Sequence, residues 1–63
     1  MLEIGSKVRI KENAYGNSTD PEAIKAHGKV GEVVYVGEDG EVEVQTEDDE
    51  FELLTIDEVE EIT

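Results

Sequence analysis

Glu41-Val42-Glu43-Val44-Gln45-Thr46 alternates polar and apolar side chains without a break. A period of two belongs to an extended strand, whose successive side chains leave on opposite faces. Val42 and Val44 then face a core while Glu41 and Glu43 face water. Lys7-Val8-Arg9-Ile10-Lys11 repeats the pattern, with Val8 and Ile10 inward and three basic side chains sharing the outer face. Lys29 to Val36 is rich in β-formers, with Val30, Val33, Val34, Tyr35 and Val36. Gly31 inside it predicts a bulge or a close backbone approach. Phe51-Glu52-Leu53-Leu54 makes a fourth strand and Val59 to Ile62 a short closing one.

The connections carry turn chemistry. Glu38-Asp39-Gly40 reads as a hairpin turn and Glu47-Asp48-Asp49-Glu50 as a second, very acidic one. Thr55-Ile56-Asp57-Glu58 reads as one tight helical turn. Glu12 to Gly28 is a long loop that opens with the turn residues Tyr15-Gly16-Asn17-Ser18. Ser18 or Asp20 shapes this loop. Asp20 can cap a short helical turn, Pro21 fits its first position, Glu22 suits its N-terminal dipole, and Gly28 can stop it. About two turns of helix are unstable alone, which predicts that Ile24 is buried against the rest.

The sum is an all-β chain: strand, long loop, three-strand meander, one-turn helix, last strand. Strands this short share one core by curling into a small five-stranded barrel of the SH3-like layout. Residues 1–63 then form a single domain. With 63 residues and no cysteine, neither a disulfide nor a thiolate metal site supplements the core.

Charge limits the partners. The chain carries 18 acidic and 5 basic residues, a net charge of -13. All the basic ones (Lys7, Arg9, Lys11, Lys25 and Lys29) precede position 30, and the stretch from Glu32 onward has carboxylates only. A field of one sign repels nucleic acid and anionic membrane. Direct nucleic-acid binding and membrane association are therefore excluded from the expectations. No segment has the apolar length of a membrane span, and Met1-Leu2-Glu3-Ile4 is not the start of a signal peptide. A cytoplasmic monomer is expected, because Glu and Lys along the strands oppose edge pairing.

Residues able to do chemistry do not assemble into a catalytic set. The adjacent carboxylates of 47–50 and 38–39 are hard ligands, but their spacing is not that of an EF-hand and reads as solvated turn charge. His27 has no second imidazole or thiol beside it and reads as a helix C-terminal residue. Ser6 and Ser18 lack a base. The glycines match no phosphate-binding fingerprint. No enzyme activity, cofactor or metal is expected.

Three stretches carry a family resemblance: Gly5-Ser6-Lys7-Val8-Arg9-Ile10, Lys29-Val30-Gly31-Glu32-Val33-Val34-Tyr35-Val36, and Asp57-Glu58-Val59-Glu60-Glu61-Ile62. In this order they resemble the small SH3-like barrels related to photosystem I reaction-centre subunit IV and the variable chain of ferredoxin–thioredoxin reductase. Gly28 to Val33 also resembles the KOW motif of ribosomal and transcription-elongation proteins. The resemblance implies the barrel fold and an accessory subunit of a redox or photosynthetic complex. It implies a basic docking face as well, for which this chain offers only Lys7, Arg9 and Lys11. No family binding residue carries over.

The residues themselves point to a non-catalytic module that docks a basic surface of a partner protein. Glu38, Asp39, Glu41, Glu43, Glu47, Asp48, Asp49, Glu50 and Glu52 would steer it, and Tyr15 or Tyr35 would anchor it. The alternative is a phage-type nucleic-acid mimic, whose carboxylates stand in for backbone phosphates and block a DNA- or RNA-binding protein. The charge also serves solubility without any partner. Tyr15 has a second reading, as packing of the long loop onto the barrel.

Overall fold

The five predicted strands form in the computed structural model, which describes residues 2–17 and 20–62. They are β1 (Lys7–Ile10), β2 (Val30–Val36), β3 (Glu41–Thr46), β4 (Phe51–Thr55) and β5 (Val59–Glu61). All pair antiparallel in one sheet of order β4-β3-β2-β1-β5. A 3-10 turn, Ile56–Glu58, joins β4 to β5. The long loop holds a turn, α1 (Ala14–Asn17), whose Tyr15 and Gly16 are left-handed, and a short helix, α2 (Pro21–Ala26). Ser18 falls outside the described residues.

The alternation in the sequence sets the core. Val8, Ile10, Val33, Val42, Val44, Leu54 and Val59 are buried on the inner face, and Ala14 and Ala26 close it from the loop. Burying a valine or isoleucine completely is worth about 1.5–3 kcal/mol, so these few side chains supply most of the drive to fold. Lys7 and Arg9 face outward, as the pattern requires.

Gly31 marks a close approach. A Cβ built there would lie 2.5 Å from the backbone O of Gln45 and 2.6 Å from Val44 Cγ1. The bulge itself falls three residues later, where the β2–β3 register shifts between Val33 and Tyr35. The extra residue there is Val34, which lets Val33 stay in the core while Tyr35 turns outward.

Ile24 departs from expectation: it is 50% exposed. Helix α2 docks instead through Ala26, whose small side chain lets the backbone come close to β1, where Gly28 N–H donates to Ile10 O at 2.8 Å. The caps are as expected. The Asp20 side chain accepts from Glu22 N–H, Pro21 opens the helix, and His27 sits at its C-cap. Gly28 has φ +82, a conformation open to glycine that ends the turn.

Candidate functional site

β3 carries the acidic stripe. Its odd residues, Glu41, Glu43 and Gln45, point outward, opposite to buried Val42, Val44 and Thr46. Glu43 lies in the middle, directly across from Tyr35 on β2 and Leu53 on β4. Gln45 lies across from Glu32 and Phe51 in the same way. Tyr35, Leu53 and Phe51 are 53%, 57% and 59% exposed. The outer face of β2–β3–β4 is thus a mixed surface, with carboxylates in the centre and three large apolar side chains beside them.

The two acidic turns cap opposite ends of β3. Six residues of strand span about 20 Å, which exceeds the screening length of about 8–10 Å at physiological salt. Glu38 and Asp39 therefore act at one end and Glu47, Asp48, Asp49 and Glu50 at the other, with only Glu41 and Glu43 between. In the first turn, Gly37 N–H donates to Glu41 O at 2.7 Å, and Gly40 takes φ +88. Asp39 and Glu41 share a hydrogen bond, and this contact with a second carboxyl holds Glu41 above the ordinary carboxylate range.

The second turn is built from its own carboxylates. Asp48 accepts from Thr46 Oγ1 at 2.5 Å and from Lys29 Nζ at 2.9 Å. These bonds, Thr46 first, pull Asp48 down to about 2 and push Lys29 up. Glu50 N–H donates to Thr46 Oγ1 at 3.1 Å. Asp49 turns the chain in the left-handed region, φ 63, with its N–H on Thr46 O at 3.0 Å. Asp48 therefore shapes the hairpin, while Glu47 and Glu50 face solvent.

Glu52 does not join the outer stripe. It pairs with Val44 and shares that residue's inner face, where it accepts a short hydrogen bond from the Tyr15 hydroxyl. Tyr15 is half-buried, packed on the core, with its backbone at φ 60, ψ 32. Its N–H donates to Glu58 Oε2 at 2.6 Å. Burial first, then the bond to Glu52 and the charge of Glu58, pushes the Tyr15 phenol well above its ordinary value. The loop-packing reading of Tyr15 is the one its contacts describe. Beside it opens a cleft of about 450 Å³ lined by Tyr15, Asp20, Glu22, Ala23 and Glu52.

The remaining polar candidates have structural partners. His27 Nε2 lies 3.3 Å from Ala14 O, and Ser6 Oγ accepts from Glu3 N–H at 3.1 Å. Arg9 pairs with Glu60 at 2.9 Å across β1 and β5. No group of three or more metal-ligating side chains converges among the described residues. No helix among them is long and apolar enough to cross a membrane.

Phe51 and Leu53 were not singled out from the sequence. Their signal was there: with Val42 and Val44 inward, hairpin pairing puts Leu54 inward and Leu53 outward. In comparisons with family models, curated proteins and solved structures, the chain matches none.

Proposed function

We propose that this protein is a non-catalytic interaction module that docks a basic surface of a partner protein through the outer face of β2–β3–β4. The observation that carries this reading is the row Tyr35–Glu43–Leu53, which sets a carboxylate between two exposed apolar side chains. Charge draws the partner in, and the apolar neighbours supply contact area once water is displaced. Glu38, Asp39 and Glu41 extend the negative field at one end, and Glu47 and Glu50 at the other. The sheet order supports reading the fold as an SH3-like barrel, because β1 lies between β2 and the last strand.

A pull-down with the native chain beside a Glu41→Gln, Glu43→Gln variant tests the reading. A basic protein recovered by the native chain alone, and not displaced by DNA, is the expected result. Displacement by DNA would favour mimicry of nucleic acid. Equal recovery by both baits would remove the acidic face as the docking element.

A further inference from the structure

The hydrogen-bond register leaves one side of β4 open. Thr46 N–H donates to Glu50 O at 2.8 Å and Ile56 N–H to Gly40 O at 2.9 Å. With antiparallel alternation, the even residues Glu52 and Leu54 complete the ladder to β3, and Phe51 and Leu53 turn their N–H and C=O groups outward. Among the described residues, no other strand of the sheet pairs with β4 on that side. The same two residues hold the exposed apolar side chains at 59% and 57%. Sheet proteins ordinarily blunt such an edge with a charge, a proline or a covering loop. Here the device is the inward-pointing Glu52 between the two, which selects against an uncharged or acidic strand.

Inner-face neighbours of this edge have the opposite chemistry. Glu52 projects between Phe51 and Leu53 into the cleft whose other lining residues are Tyr15, Asp20, Glu22 and Ala23. Three carboxylates and one aromatic ring face that space, while Lys25 and Lys29 stand in an adjoining cleft that Glu22 and Glu52 also border. A second copy of this chain fits poorly, since a β4–β4 pair would bring two Glu52 carboxylates and two charges of -13 together.

We propose that the β4 edge binds an extended segment of a partner protein as an added strand, with apolar residues alternating with Lys or Arg. Residues opposite Phe51 and Leu53 exchange backbone hydrogen bonds with them and lay apolar side chains on the outer face. The residue between points inward, and its positive charge enters the cleft against Glu52, Glu22 and Asp20, beside the Tyr15 ring. Main-chain bonds supply affinity, and the alternation supplies specificity. The inference rests on the acidic docking reading and narrows its partner to a strand-forming basic segment.

The test uses two six-residue peptides of identical composition, one alternating Lys and Val and one with three Lys followed by three Val. Binding is followed by fluorescence anisotropy, and backbone amide exchange by NMR. The alternating peptide is expected to bind at least about tenfold tighter, the gain of roughly one good contact, and to protect the amides of Phe51 and Leu53. A Phe51→Ser, Leu53→Ser variant, altered only at exposed side chains, should lose that preference while melting as the native chain does. Equal, salt-sensitive binding of both peptides without amide protection would overturn strand addition and leave acidic docking standing. If neither peptide binds even at low salt, both readings fail. If protection of these amides rises with protein concentration alone, a second copy holds the edge and the proposal is wrong.

Discussion

The backbone N–H of Tyr15 donates to Glu58 Oε2 at 2.6 Å, joining positions 43 residues apart. The other oxygen of the same carboxylate accepts Thr55 N–H at 2.9 Å. One side chain thus holds the start of the 3-10 turn and the apex of the long loop together. It also holds Tyr15 in a left-handed conformation that costs a non-glycine residue about 1–2 kcal/mol. Glu58→Ala should destabilise the fold by about 2–3 kcal/mol, because two backbone donors lose a charged acceptor. In a domain of this size that is a fall of about 10 °C or more in melting temperature. Thermal unfolding followed by circular dichroism checks it, and a change under 2 °C would show that water replaces the carboxylate at no cost.

Tyr15→Phe removes the hydroxyl bonded to Glu52 and should cost about 1–2 kcal/mol at pH 7. The phenol is held above its ordinary value, so its contribution is complete below pH 10 and drains away as pH rises further. The stability gap between native chain and variant should therefore narrow above pH 10. Denaturant unfolding of both at pH 9 and pH 11 measures that gap.

Gly31→Ala should cost about 3 kcal/mol, at the upper end of overpacking penalties. The new methyl would meet the Gln45 carbonyl at 2.5 Å, and a backbone atom in a ladder cannot turn aside as a side chain can. Gly28→Ala is a useful contrast. It meets nothing within 4 Å and carries only the cost of its positive φ. Chemical denaturation of the two variants should place Gly31→Ala clearly lower.

Asp48 sets an acid limit. Its pKa is lowered from 3.8 to about 2 by Thr46 and Lys29. The stability it contributes is present above about pH 4 and is lost as the pH falls toward 2. Asp48→Asn should be the less stable chain at pH 6 and should lose less of its stability on acidification across that window. Parallel melts from pH 6 to pH 2 would show the two curves converging.

Carboxylate crowding has the opposite sign. Glu41 is held above the ordinary range by Asp39, so the pair weakens the fold as pH rises through that range. Asp39→Asn should raise the melting temperature at pH 7. Added salt should do the same for the native chain by screening its net charge of -13. A melting temperature that stays flat or falls from low to moderate salt would mean that self-repulsion contributes little.

Local pattern made β1 and β3 legible, because Val8, Ile10, Val42 and Val44 alternate strictly with charged neighbours. The turns at Gly40 and Gly28 were legible because each needs a positive φ. The docking of α2 was not. A two-turn helix shows no full period, and close approach favoured the small Ala26 over the larger Ile24. Gly31 pointed to a bulge or a close approach, and the close approach is what it marks; the bulge at Val34 had no signal, since two adjacent valines do not show which one slips. The 38–41 and 47–52 carboxylates look like one acidic block in the sequence. Strand length separates the two turns, and strand register sends Glu52 to the opposite face from Glu43.

β1 lies between β2 and β5, and Arg9 meets Glu60 across 51 positions of chain. The β2–β3–β4 meander closes through neighbouring segments, whereas β1 waits for a strand made much later. Of these five strands, the first in chain order is therefore the last to gain both neighbours. Pairing β1 with β5 closes the longest loop in the sheet, so it carries the largest loop-closure entropy of any strand pair here.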